Sequence, residues 1–339
     1  MSSNYQPRLF YFCLFAAVWA VALLYAGAYT TSIQAGMAFL DWPLSNSSIN
    51  PEGWLTQEDM RAEHGHRLLG FSFGLIAIIL IFWTQRKEPR RWVRRLAIAF
   101  FLLVLAQGIL GGMRVLFDQL NTGASHNLLG QTLCVLHALG AQLTVCLLTT
   151  LTVATSKTWY QFPSPERTDP PAVKKLHWWG GMASIILFLQ IILGAVVRHA
   201  EAGMAIPTFP LTPEGSLLPA HWNFQIGIHW LHRFGALVTT VALALFLGKT
   251  LKVPPLRKEL GKWVVCIAAI LILQISLGAA TIWTYKNPVM ASSHMLVGAL
   301  LLTTTWGLTF MTGRYSFAAN YDRASCSVKT KNMSPLIAH

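Results

Sequence analysis

The chain has 339 residues, of which 54% are hydrophobic and only 12% charged, with a formal net charge of +13 and a mean hydropathy of +0.47. Soluble domains carry about 25% charged residues, so this composition excludes a water-soluble globular enzyme and fits a chain whose main surroundings are membrane lipid. The basic excess is spread by loop rather than gathered in a patch, which excludes nucleic acid as its target.

A bilayer crossing takes about 20 largely apolar residues, and eight such stretches follow one another at about 10–30, 67–85, 95–115, 129–152, 176–197, 227–248, 262–284 and 291–312. The first leads into the loop 34-QAGMAFLDWPLS-45. The second opens on 61-RAEHGHRLLG-70, and a basic connection, 86-RKEPRRWVRR-95, leads to the third, which carries 107-QGILGG-112. The fourth contains His137. A stretch rich in Pro, Ser and charge, 154–175, separates it from the fifth, which ends at Arg198 and runs into 201-EAGMAIPTFPLT-212. The sixth opens on 232-HRFG-235 and is the weakest span, because Arg233 lies in its first turns. The seventh carries 274-QISLGA-279 and the eighth contains His294.

With the N-terminus inside, the inside segments hold 20 of the 26 Lys and Arg residues, among them Arg8, the 86–95 and 249–262 runs and Arg314. Six stand outside: Arg61, Arg67, Arg114, Arg198, Arg233 and Lys286. That asymmetry follows the positive-inside rule and puts both termini in the cytoplasm. Only seven residues precede Arg8, which leaves no room for a cleaved leader, so a bacterial inner membrane is the expected location. The five cysteines fall in spans or in the cytoplasmic tail, and no structural disulfide is expected.

The two halves of the chain repeat one order of motifs. Gly36 and Gly203 sit in matched Ala-Gly-Met-Ala loops 167 residues apart, and Gln107 and Gln274 keep that spacing. His66-Arg67 and His232-Arg233 are 166 apart, and His137 and His294 are 157 apart. Each half holds four spans, an even number, so both enter the membrane in the same direction and a parallel repeat follows. The expected fold is an all-α polytopic membrane protein of two four-helix bundles. Residues 1–153 form one half, 154–175 a cytoplasmic linker, 176–313 the other half, and 314–339 a polar, disordered cytoplasmic tail.

Four of the eleven histidines recur by this symmetry: His66, His137, His232 and His294. A lone membrane histidine reads most simply as a hydrogen bond between helices. Symmetric pairs, one residue from the second helix and one from the fourth of each half, instead suit the two axial positions of a haem iron. Copper or zinc would use the same nitrogens, but zinc wants a third or fourth ligand and no such cluster is evident. All four lie toward the outer ends of their spans, which places two pockets side by side in the outer half of the bilayer. Gly70, Gly74, Gly130, Gly140, Gly235 and Gly298 offer a porphyrin close approach, against the plain reading of helix packing. Arg67 and Arg233 each follow a candidate ligand and suit either a haem propionate or snorkelling to the interface. Arg114 and Arg198 carry the same two readings.

Aligning His66 with His232 sets Glu63 opposite His229, each three residues before the ligand and on its helix face. A carboxyl near hydrocarbon can hold or move a proton near neutral pH, so one pocket is equipped for chemistry and the other for electron transfer. The plain alternative is that Glu63 caps the helix start.

These residues together resemble the haem A synthase family. The likeness covers about residues 10–312 and rests on 63-EHGHRLLG-70, similar to that family's Glu-x-x-His-Arg motif, and on 190-QIILGAVVRHAEAGMAIPTFPL-211, similar to its fifth-helix signature and following loop. The resemblance implies an oxidoreductase that converts haem O to haem A, by two successive two-electron oxidations of the porphyrin C8 methyl to a formyl group, for haem–copper oxidase assembly. It implies that His66 and His137 hold the substrate haem O, that His232 and His294 hold a permanent haem b, and that Glu63 is the catalytic acid/base or cation-stabilising group. Haem O synthase and an electron-transfer partner are implied as partners, and a homo-oligomer is left open. Two departures stand out: the outside loops lack the cysteine pairs many members carry, and Thr31 stands where an arginine matching Arg198 is expected. The alternative is a non-enzymatic bis-histidine dihaem membrane cytochrome, an electron carrier. A haem or solute transporter is suggested by the parallel repeat alone.

Overall fold

The computed structural model describes residues 5–117, 127–160 and 170–333. Its eight long helices are α1 (Pro7–Ser32), α2 (Glu58–Lys87), α3 (Arg91–Phe117), α4 (Leu128–Thr155), α5 (Pro170–His199), α6 (Phe224–Leu251), α7 (Pro254–Trp283) and α8 (Pro288–Met333). Each contains a window long and apolar enough to cross a membrane, as the hydropathy pattern predicts. They start earlier than their apolar cores because local chemistry starts them. Pro7 and Pro254 stand in the first turns of α1 and α7, where a missing N–H costs nothing. Asn127 and Asn223 cap α4 and α6, each side-chain oxygen accepting a backbone N–H, from Gly130 at 2.9 Å and from Ile226 at 2.8 Å.

The tail departs from expectation. Instead of losing structure after residue 314, α8 continues to Met333. Residues 315–333 contain neither Gly nor Pro, and Pro335 is the first breaker.

Helix neighbours form two closed rings. In the first, α1 packs on α2, α2 on α3, α3 on α4 and α4 back on α1; α5, α6, α7 and α8 do the same in the second. The rings meet through α1 with α8, α4 with α5, and α4 with α8. Adding four to every helix number exchanges the first two of these contacts and leaves the third unchanged.

Each ring is packed dry along only part of its length. One cluster joins Leu9, Ala16, Ala20, Phe73, Ala77, Leu80, Ala97, Phe100, Leu148 and Leu151; the other includes Leu187, Leu243, Phe246, Leu256, Leu260, Ile267 and Leu301. Most of these residues lie toward the end that carries Pro7, Lys87, Arg91 and Thr155. Small residues such as Ala16, Ala20, Ala77 and Ala97, each 3% exposed or less, let the backbones close up. Van der Waals packing of this kind drives association where lipid removes the hydrophobic effect. At the same end Trp159 stacks on Phe310 at 4.6 Å and 8°, and Glu88, 3% exposed, takes a bidentate ion pair from Arg90. The four candidate histidines lie toward the opposite ends of their helices.

Candidate functional site

The helix before each histidine-bearing helix supplies a glycine for the ring to lie against. A Cβ added to Gly27 of α1 would fall 2.7 Å from His66 Cε1, and one on Gly194 of α5 would fall 3.0 Å from His232 Cε1. The same construction on Gly111 of α3 gives 3.5 Å to His137 Cε1, and on Gly278 of α7 gives 3.0 Å to His294 Cε1. Gly27 and Gly194, like Gly111 and Gly278, are 167 residues apart. A side chain at Gly27, Gly194 or Gly278 would crowd the imidazole, so these three glycines hold the space in which the rings stand, whereas Gly111 leaves ordinary contact distance.

His232 and His294 face each other with ring centroids 6.5 Å apart at 84°. A metal bonded at about 2 Å by each of two imidazole nitrogens sets the ring centres about 6 Å apart, so this pair is spaced for such a bridge. His294 Nδ1 stands 3.1 Å from the Gln274 carbonyl, which would take its N–H and leave Nε2 for the metal. His232 Nδ1 lies 3.0 Å from the Gln190 amide, which also donates to the His232 carbonyl at 2.8 Å. In the other ring His137 lies within electrostatic reach of His66. The Leu23 and Gln107 carbonyls stand toward His66 and His137, although neither Nδ1 makes a hydrogen bond of normal geometry. Among the described residues no group of three or more His, Cys, Asp or Glu is gathered to hold a metal. Haem iron asks only two donors of the protein, because the porphyrin supplies the other four; the paired histidines fit it and do not fit zinc.

The glycines singled out from sequence do something else. Gly140, Gly235 and Gly298 meet the side chains of Gln107, Gln190 and Gln274, Gly70 meets Leu23 at 4.0 Å, and Gly130 meets its own cap residue Asn127. Only Gly74 opens on unfilled space.

Glu63 does not cap α2, whose N-cap is Gln57. It stands in the second turn, 4% exposed, with one carboxylate oxygen ion-paired to Arg67 and the other accepting the Phe39 N–H at 3.1 Å. Arg67 in turn donates to the carbonyls of Asp41 at 2.7 Å, Phe39 at 3.2 Å and Leu44. The other half repeats this with a different residue. His229, also 4% exposed, accepts the Ile206 N–H on Nδ1 at 3.2 Å, and its Nε2 stands 3.3 Å from Arg233 Nε. Arg233 donates to the Ile206 and Thr208 carbonyls at 2.8 and 2.7 Å. Phe39 and Ile206, and Asp41 and Thr208, keep the 167-residue offset. Both arginines therefore clamp the outer loop to the helix that carries the candidate ligand, and neither reaches away toward the interface.

Arg114 makes a similar tie, donating to the Gly36 carbonyl. Arg198 joins the two rings. From α5 it donates to Ala28 O of α1 at 2.7 Å, to Ser32 Oγ at 2.8 Å, and to Met295 Sδ of α8, next to His294. Sequence reasoning missed His64. It is 4% exposed, its Nδ1 lies 3.0 Å from Ser45 Oγ, and its ring meets the edge of Trp54 at 4.7 Å. It fastens the long first loop to α2. The position matching it in the other half is Trp230, so the repeat gave no signal for it.

Among the described residues, a strand-free bundle with eight helices long and apolar enough to cross a membrane defines the class, a polytopic helical membrane protein. Within that class the chain belongs to the COX15-CtaA family, cytochrome oxidase assembly protein, whose profile it matches over residues 10–306. It is 29% identical over 317 residues to a haem A synthase of Symbiobacterium thermophilum, covering 90% of this chain and 96% of that one. A haem A synthase of Alkalihalophilus pseudofirmus is 31% identical over 311 residues, 91% of this chain and 97% of that one. One of Halalkalibacterium halodurans is 27% identical over 289 residues, 84% and 90% respectively.

Proposed function

We propose that this protein is a haem A synthase of the bacterial inner membrane, oxidising the C8 methyl of haem O to a formyl group. The facing of His232 and His294 at 6.5 Å, with matched glycines beneath all four histidines, is the observation that carries the reading. The names of the relatives supply the reaction. With water as oxygen donor the conversion balances as R–CH3 + H2O → R–CHO + 4 H+ + 4 e−, in two two-electron steps.

The protein assigns its halves different work. His66 and His137 take the iron of the substrate, haem O, and hold its ring at one depth. His232 and His294 hold haem b, which supplies one-electron redox chemistry when bound. Glu63 puts a carboxylate in the substrate half at the position where the other half has the imidazole of His229. Its charge is held in place by Arg67 and the Phe39 N–H, and positive charge developing on the methyl carbon is stabilised by such a fixed, preorganised anion. Arg67 spends its hydrogen bonds on Glu63 and loop carbonyls. Arg233 donates to loop carbonyls as well but has no carboxylate partner among the described residues, so its charge suits a propionate. The two outer loops, clamped by these arginines, limit water at the pockets. An electron acceptor outside this chain and haem O synthase as the source of substrate are the partners this chemistry requires.

The test is chromatography of haems extracted from a host that lacks haem A and expresses this chain together with a haem O synthase. A haem A peak that depends on this chain is expected. Haem O left unconverted, with the folded protein carrying b-type haem and its redox partner present, would overturn the proposal in favour of an electron-carrying dihaem cytochrome.

A further inference from the structure

We infer that an apolar crevice between the two rings takes isoprene units of the haem O tail and makes the N-terminal pocket select that haem; this rests on the two-pocket reading above. The crevice is walled by Ala20, Val21 and Leu24 of α1, Leu148 and Thr149 of α4, and Ala299 of α8, with Thr303 beside the last. Both threonine hydroxyls are spent within their own helices, Thr149 donating to the Val145 carbonyl at 2.8 Å and Thr303 to that of Leu300 at 3.1 Å. The walls therefore match a hydrocarbon chain and offer a polar one no partner.

The crevice continues from the substrate side. Leu24 stands one turn before Gly27, which seats His66, and Ala20 stands one turn further. At 1.5 Å per residue the crevice runs from about 5 to about 10 Å beyond that seat along α1, toward the Pro7 end. Haem O carries a hydroxyethylfarnesyl chain where haem b has a vinyl group, on the side of the ring away from the propionates. A haem that turns its propionates to the loops at the histidine end turns this chain along the bundle, in the direction of the crevice.

The other half has bulkier side chains at the matching positions. At the 167-residue offset Ala20 and Val21 answer to Leu187 and Phe188; at the 157-residue offset that relates His137 to His294, Thr149 answers to Trp306 and Ala299 to Gln142. Leu187 is buried and Phe188 packs against the same core, while the Trp306 indole donates to Thr150 Oγ1 at 2.8 Å. Leu24 answers to Ile191, and of the six wall residues only Leu148 answers to a smaller one, Thr305. Haem b has no tail to place there. Burying about two methylene groups is worth about tenfold in affinity, so the crevice separates the two haems by the one feature in which they differ.

The experiment uses purified full-length protein with its resident haem b in place, titrated with haem O and, separately, with haem b, the second haem being followed by absorbance. Wild type should bind added haem O at least about tenfold more tightly than added haem b. Val21→Phe, which gives α1 the side chain that α5 carries, should remove that preference while leaving the affinity for added haem b and the resident spectrum as they were. Ala20→Val, a smaller filling, should reduce the preference in part. A wild type without preference, or a preference that survives both variants, overturns the inference and leaves the crevice to lipid acyl chains. Equal weakening of both haems in the two variants overturns it as well, since the substitutions would then act on the histidines rather than on the tail. Wild-type protein that takes up no second haem of either kind would instead bring down the two-pocket reading.

Discussion

Glu63 and His229 each accept the amide N–H of a loop residue, Phe39 and Ile206, and each touches an arginine one turn later. The mechanical job is the same, and only the charge differs. Glu63→Gln keeps an acceptor for the loop and removes the charge, so it should retain the b-type spectrum and lose haem A formation; full activity would reduce Glu63 to a loop clip. Glu63→Ala is the harsher variant, because it takes the carboxylate from the half-buried Arg67 and the acceptor from the Phe39 N–H, visible as a lower unfolding temperature. The glycines under the rings give a second prediction. Gly194→Ala and Gly278→Ala should each lower the haem b content of purified protein, since the new methyl would meet a ring carbon at 3.0 Å. Gly111→Ala, beside His137 in the other pocket, should leave haem b in place. The histidines and Glu63 were legible in the sequence because polar residues in a membrane span are few and a repeat picks them out. The motifs that hold the glutamines and three of the seating glycines were visible, but their place against the rings was not. These spans are apolar nearly all round, so periodicity does not say which face turns inward, and a glycine looks the same whether it meets a ring, a glutamine or another backbone.

At the scale of elements, the loops are the part that composition describes least. Residues 42–57 form an irregular connection between α1 and α2. They are tied down by Arg67, by the His64–Ser45 contact and by Asp41, whose carboxylate accepts the Asn46 and Ser47 N–H groups at 2.8 and 2.6 Å. Partial burial raises the Asp41 carboxyl, but these N–H donors and the nearby Arg67 outweigh it and hold it below the ordinary aspartate range. A depressed carboxyl stabilises the folded loop above its unfolded value and loses that contribution as pH falls through the folded one. Amide exchange at Asn46 and Ser47 should accordingly be protected near neutral pH and lose protection below the usual aspartate range; protection independent of pH would contradict this role. Helix starts were partly legible, through Pro7, Asn127 and Asn223, whereas the extension of α8 to Met333 was not, because polar composition suggested disorder while the absence of Gly and Pro permitted helix. Arg198 binds the rings together, and Arg198→Ala should cost about 1.5–3 kcal/mol for the lost charged hydrogen bonds, read as earlier unfolding of the solubilised protein.

For the molecule as a whole, the order of motifs at offsets of 166 and 167 residues pointed to two like halves, and the helix contacts exchange consistently when the halves are exchanged. Most of the clustered aliphatic residues lie toward one end of both rings, and the histidines lie toward the other. We propose from the charge distribution that the histidine end faces outside. In a cysteine-free background, Ser216→Cys should react with a membrane-impermeant thiol reagent added to intact cells with a permeable outer layer, and Lys258→Cys only after the membrane is opened; the reverse pattern would invert the topology. The central claim is that one repeated architecture has been divided into a substrate pocket and a resident-haem pocket. The measurement that tests it most directly pairs two variants, His66→Ala and His232→Ala, and scores each for the b-type absorbance spectrum and for haem A in extracts. The account predicts that His66→Ala keeps the spectrum and makes no haem A, while His232→Ala loses the spectrum itself. Equal loss of the spectrum in both variants, or haem A made normally by His66→Ala, would contradict it.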